Sequence, residues 1–208
     1  MPSPASERAD EFEKHVQRLE STRRKMEDLV SDHQIDLDDI EEVYRGLYLN
    51  LITAFEGFLE RLFFGLLDGE VESQSCCFLP DVAKGAAARN ILLIDRDYLE
   101  WLPYDHAIER AKAFFQDGCP FTFVKDEPYE MQHRSALKKY LIIRNTIAHM
   151  SDFSREKFET NVIGDLTLTP RERTPAGFLR SIFRRRPTLT QYELVAQELV
   201  GISRILCR

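Results

Sequence analysis

Basic charge is in deficit: 28 lysines and arginines stand against 35 aspartates and glutamates, a formal net charge of −7 over 208 residues. That balance excludes a chain that coats nucleic acid by bulk electrostatics, so any such contact has to be a local basic patch on an acidic body. Cysteine is scarce as well. Cys76, Cys77, Cys119 and Cys207 contain an adjacent pair, which is a poor disulfide, and no Cys-x-x-Cys. Neither a secreted disulfide framework nor a zinc site is supported, and the thiols are expected to be reduced and structural. Histidines 15, 33, 106, 133 and 149 are scattered, so no metal and no other cofactor is expected. Long apolar runs are missing too: the most apolar stretch, 59–67, is broken by Glu60 and Arg61 and is too short to span a bilayer. Residues 1–8 have no apolar core and are not expected to act as a signal peptide, which makes the expected location cytoplasmic. No internal repeat or low-complexity tract is visible.

What is present is the composition of a soluble globular protein, 43% hydrophobic and 30% charged, long enough for one domain with a sizeable core. Helical periodicity dominates. Residues 6–30 carry a sparse stripe at Phe12, Val16, Leu19, Met26 and Leu29, as a helix docked on one side does. Residues 40–67 hold an apolar arc of nearly half the wheel, from Ile40 through Tyr44, Leu51, Phe55 and Leu62 to Leu66, which makes this the central helix, ended by Asp68-Gly69. Residues 70–84 read as irregular, and 85–102 as one or two short helices. Pro103 opens a helix with Ala107, Ile108, Ala111, Phe114 and Phe115 on one face, closed by Asp117-Gly118, and 119–124 reads as a loop. Pro128 is expected to begin a helix running to His149. Residues 153–162 are expected to pack over its end, 165–170 to form a small strand, and Thr188 to cap a last helix. The expected class is an all-α helical bundle with an irregular C-terminal extension.

The stretch 135–150 carries two groups that an ordinary helix has no reason to hold. At about 100° per residue, Leu137, Tyr140, Leu141, Ile147 and Ala148 fall on one arc with Arg144 near its middle. A guanidinium cannot shed its charge, so on an apolar stripe it requires a carboxylate, a phosphate or a wet crevice. Glu56, at the edge of the central helix's arc, is a candidate partner across a helix–helix contact; the alternative is a solvated glutamate. His149 lies about 140° round from Arg144, on the side of Lys138 and Asn145, and Asn145 is one turn from His149, within reach. The arginine and the histidine converge only if the helix ends near His149 or a second copy faces the first.

Arg144-Asn145-Thr146-Ile147-Ala148-His149, an Arg-x-x-x-x-His motif late in a helix, resembles the signature of HEPN domains. The upstream Ala54-Phe55-Glu56-Gly57-Phe58-Leu59 and the downstream Phe153-Ser154-Arg155-Glu156-Lys157-Phe158 are similar to its RiboL-PSP or MAE-type branch, and the resemblance covers about residues 39–165. It implies an all-α bundle of HEPN type and a homodimer. It also implies metal-independent endoribonuclease activity of toxin–antitoxin or antiviral type, with RNA as substrate and an antitoxin or inhibitor protein as a further partner.

Cutting RNA without a metal requires taking a proton from the 2′-hydroxyl, stabilising the charge on phosphorus and protonating the leaving 5′-oxygen. Histidine suits either proton transfer and arginine suits the charge. His149 is therefore assigned as general base or acid, Arg144 as the phosphate clamp and Asn145 as the group that orients the imidazole or donates to phosphate. Two residues per chain are few for three tasks, so a dimer uniting two copies of the motif is attractive. Lys138 and the densest basic run, Arg184-Arg185-Arg186, are the expected RNA-backbone contacts, although a charge run is more often a solvated loop. His133 and Arg134 would extend an RNA track or be ordinary surface residues. Other classes stay open: a catalytically idle HEPN-like module that binds RNA or a partner protein, and an HEPN partner of a nucleotidyltransferase. A purely structural reading also stands, with His149 as a helix-end charge and Arg144 as an ion-pair partner.

Overall fold

A computed structural model describes residues 3–73, 76–80, 82–93, 98–125 and 130–208. The protein is all-α. Its helices are α1 Ala5–Ser31, α2 Leu37–Asp68, α3 Gly85–Leu92, α4 Tyr104–Phe114, α5 Glu130–His149, α6 Asp152–Phe158, α7 Pro175–Arg180 and α8 Gln191–Leu206. Two small ribbons accompany them: β1 Ser3–Pro4 parallel to β2 Val71–Glu72, and β3 Ile182–Arg185 antiparallel to β4 Thr188–Thr190. The chain divides into two compact units, unit 1 comprising Met1–Glu13, Ala54–Lys138 and Val200–Arg208, and unit 2 comprising Lys14–Thr53 and Lys139–Leu199. Helices α1, α2, α5 and α8 therefore each give residues to both.

Unit 1 is built on aromatic rings. Phe63 of α2 lies 5.1 Å from Trp101, 5.3 Å from Phe115 and 5.5 Å from Phe121, all four buried, while Phe12 packs on Phe55 and Phe58. Offset and edge-on contacts of this kind add to the hydrophobic gain of burying such large side chains. The buried Tyr104 hydroxyl donates to the Phe121 carbonyl at 2.8 Å, tying the start of α4 to the turn after it. Gly65 is favoured here, because a Cβ would meet Val71 Cγ2 of β2 at 2.5 Å and force that side chain to shift.

Unit 2 mixes rings with charges. Tyr44 of α2 meets Tyr192 of α8 edge-on at 5.8 Å, and the fully buried Tyr48 donates to the Tyr140 carbonyl of α5 at 2.9 Å. The buried Arg23 of α1 donates to both carboxylate oxygens of Glu20, to Glu193 Oε1 and to the Tyr44 hydroxyl. Tyr44 in turn donates to Glu27 at 2.8 Å, which Arg180 of α7 grips with two bonds of 2.9 Å.

The long helices and the apolar face of α4 lie where periodicity places them. The C-terminal region departs from expectation. Residues 165–170 form no strand; the chain there runs through a turn and loop, with Thr169 and Glu172 bonded to each other. The arginine-rich run is a β-hairpin rather than a loop, its Arg184, Arg185 and Arg186 side chains exposed. The cap of α8 is Thr190, not Thr188. Glu193 N–H donates to Thr190 Oγ1 while the Glu193 carboxylate takes the Thr190 N–H, a reciprocal box that a Thr-x-x-Glu spacing supplies. Residues 121–125 wind into a 3₁₀ turn instead of a loop. The expected helix start at Pro128 lies outside the described residues.

Candidate functional site at the end of α5

Local chemistry ends α5 at His149. Met150 takes a left-handed conformation, φ +47°, and its N–H closes on the Thr146 carbonyl at 3.2 Å. Ser151 then caps α6 by accepting the Ser154 N–H at 3.2 Å. The buried Thr146 hydroxyl bonds the carbonyls of Ile142 and Ser154, stapling the two helices at the corner. One of the two conditions for bringing Arg144 and His149 together, a helix ending at the histidine, is thus met. The separation remains: five residues along a helix put the side chains about 7.5 Å apart along the axis and about 140° apart around it.

The buried stripe of α5 is Leu137, Tyr140, Ile143, Thr146 and Ile147, whereas Leu141 is half-buried and Ala148 exposed. Arg144 therefore sits at the edge of the covered face and not at its middle. Its guanidinium is half-buried, and Nη1 donates to the Oδ1 of Asn145 at 3.0 Å. Among the described residues no carboxylate lies within ion-pairing distance of it. Every other buried or half-buried arginine of the described residues has a carboxylate or a backbone carbonyl, as Arg23, Arg45, Arg134, Arg173 and Arg180 illustrate. Asn145 is engaged with Arg144, and no bond joins it to His149 among the described residues. His149 is exposed, next to the exposed apolar side chains of Met150 and Phe153, with Lys157 Nζ 4.4 Å from the centre of the Phe153 ring.

The remaining candidates lie elsewhere. Lys138 is exposed on α5 and belongs to unit 1, as does the half-buried Glu56. Arg134 is ion-paired to Asp105, as an ordinary surface residue is. Among the described residues no hydrogen bond or ion pair joins the hairpin bearing Arg184, Arg185 and Arg186 to α5. Burial pushes the thiols of Cys76 and Cys207 up to about 12, so neither is a nucleophile near neutrality. No cluster of three metal-ligating side chains occurs, and no helix is long and apolar enough to cross a membrane, among the described residues.

One feature of unit 2 was invisible in the sequence: a cavity of about 540 Å³ on the Thr146–Ile147 side of the helix end. Three arginines border it, Arg45 from α2, Arg155 from α6 and Arg173 from the turn before α7. They are distant in sequence, and no local pattern links them. No family model matches the chain, and no curated protein or solved structure matches it either.

Proposed function

We propose that the protein is a metal-independent endoribonuclease of the HEPN type, whose site forms when two copies of the chain bring their α5 ends together. The observation that carries the reading is Arg144: a half-buried guanidinium on the open edge of α5, bonded to Asn145 and without a carboxylate among the described residues, one helical turn and a half before an exposed histidine. An arginine kept for structure is normally paired, because an unpaired buried charge is costly. One lacking a carboxylate is available to a phosphate, which matches its planar donors.

Arg144 and His149 of one chain point to different sides of the helix, so a two-fold partner supplies the convergence. The exposed Ala148, Met150 and Phe153 beside His149 give such a partner an apolar surface to cover. In the cut itself, one His149 imidazole takes the 2′-hydroxyl proton as the O2′–P bond forms. Arg144 holds the non-bridging oxygens as the P–O5′ bond breaks, and the leaving 5′-oxygen takes a proton from the second copy's His149. The products are a 2′,3′-cyclic phosphate and a 5′-hydroxyl. Asn145 acts on Arg144, holding its guanidinium plane.

The test is induced expression in a bacterium of the unaltered chain, Arg144→Ala and His149→Ala, with growth followed and RNA ends analysed. Arrest with 5′-hydroxyl fragments in the first strain alone is expected. Three soluble, harmless proteins would shift the reading to a module that binds RNA or a partner protein without cutting.

A further inference from the structure

The cavity beside the helix end has two kinds of wall. Ile147 and Phe158, both buried, give it apolar surface, and the guanidinium groups of Arg45, Arg155 and Arg173 line it together with the carboxylates of Glu156 and Glu159, which leaves positive charge in excess. Its volume lies in the usual range for small-molecule sites. The arginines are held only by surface carboxylates. Arg155 stands 3.9 Å from Asp152, whose side chain is fully solvated, while Arg45 pairs with Glu42 and Arg173 with Glu159, both well exposed. Exposed pairs of this sort contribute little to stability, so each guanidinium can turn to a better-placed anion at small cost. A ligand suited to both walls carries an apolar body and a compact anionic group on the same small molecule.

We infer that this cavity binds a single ribonucleotide unit, its base against Ile147 and Phe158 and its phosphate against Arg45, Arg155 or Arg173. Its place on the substrate rests on the ribonuclease reading: the cavity opens beside Thr146, Ile147 and Met150, within one turn of His149, so a strand crossing the end of α5 would seat a neighbouring nucleotide there while Arg144 and His149 meet the scissile phosphate. The binding itself does not require that reading. The arginines supply affinity for any phosphate, and the apolar wall selects a nucleotide over inorganic phosphate.

The test is calorimetric titration of the full chain with each of the four ribonucleoside 5′-monophosphates and with inorganic phosphate. Four proteins are compared: the unaltered chain, Arg45→Ala/Arg155→Ala, Met150→Trp, and Arg144→Ala/His149→Ala. At least one nucleotide is expected to bind more tightly than phosphate. Removing the arginine pair, whose carboxylate partners Glu42 and Asp152 are themselves exposed, should weaken it about tenfold or more. Met150→Trp should do the same by filling space that Met150 borders, and the motif variant should bind within about twofold of the unaltered chain. Failure of every nucleotide to bind at millimolar concentration overturns the inference, as does phosphate binding equally well or the arginine variant binding unchanged. RNA cleavage is scored separately. Nucleotide binding without cleavage would leave the site standing and remove the ribonuclease; cleavage without nucleotide binding would do the reverse.

Discussion

Unit 2 contains two arginines that occupy similar positions in their helices and opposite positions in chemistry. Arg23 falls between Leu19 and Met26 on the apolar stripe of α1, and Arg144 falls at the edge of the stripe of α5. The requirement that an arginine on such a stripe find an anion applies to both. Around Arg23 the anions are in the chain: Glu20 and Glu193 take three of its N–H bonds and Tyr44 a fourth. Burial, the largest single influence, would depress its pKa, yet the hydrogen bonds and charge of Glu20 and Tyr44 together outweigh it and raise the value. Around Arg144 the described residues offer an amide oxygen and no carboxylate. The difference separates an arginine that holds a fold from one that is left for something else.

The largest effect is expected at Arg23. Arg23→Ala leaves Glu20 only the exposed Arg24 and takes the one guanidinium away from Glu193 and Tyr44 in a largely buried setting, and removing one partner of such a network costs up to about 3–5 kcal/mol. Urea denaturation followed by circular dichroism should show the loss. Arg144→Ala has no carboxylate to strand, so its stability cost should stay below about 1 kcal/mol, while cleavage falls by about 10²–10³-fold, as when one charge-stabilising donor is removed. If the two variants lose stability equally, the contrast disappears and Arg144 is structural. His149→Ala should lose activity by a similar or larger factor, about 10²–10⁴-fold, and leave the melting curve in place.

Acid sharpens the same contrast. Burial pushes the Glu20 and Glu27 carboxyls up, but the hydrogen bonds and charge of Arg23 and Arg24 at Glu20, and those of Arg180 with the Tyr44 hydrogen bond and the charge of Arg23 at Glu27, together outweigh it, so both lie below the ordinary value of 4.5. The unfolded chain then binds these protons more readily than the folded one. The stabilisation is fully present above about pH 4.5 and is lost as pH falls below it toward the folded values. Denaturation midpoints should therefore be flat on the neutral side and decline on the acid side, with Glu27→Gln flattening the decline. A variant at Arg144 should leave that profile unmoved.

A smaller effect is expected at the α8 cap. Thr190→Ala removes the acceptor for Glu193 N–H and loosens the carboxylate that also holds Arg23, for about 1 kcal/mol. That cap shows what the sequence could and could not disclose. Thr190-Gln191-Tyr192-Glu193 is a readable capping box, and Thr188 is simply the wrong threonine. The helices α1, α2 and α4 are legible because each buries one continuous stripe. In α5 Leu141 and Ala148 count as apolar, yet solvent reaches them; periodicity finds apolar faces but cannot say which of two neighbouring ones is covered. Arg23 was open to the reasoning applied to Arg144, since it sits on a stripe of the same kind. The cavity was not legible at all, because Arg45, Arg155 and Arg173 meet only through tertiary packing. The hairpin was hidden by its own charge, three arginines and a proline being poor strand signals that strand pairing nonetheless overrides.

That hairpin supplies a third kind of arginine and the smallest expected effect. Arg184, Arg185 and Arg186 are solvated and, among the described residues, without carboxylates, beside the exposed Ile182 and Phe183. Neither fold nor chemistry depends on them, so replacing all three with glutamine should leave both the melting curve and the cleavage rate of bound RNA unchanged. What should change is affinity. Every phosphate of single-stranded RNA that the protein ceases to neutralise lowers the slope of log affinity against log salt by about 0.7. A hairpin that touches two or three phosphates should therefore flatten the slope by about 1.4–2 when its arginines are replaced. The weakening should fall evenly on all sequences, because backbone contacts carry no base information. An unchanged slope would take the hairpin off the RNA path and leave Arg144 and the cavity arginines as the basic groups that meet the strand.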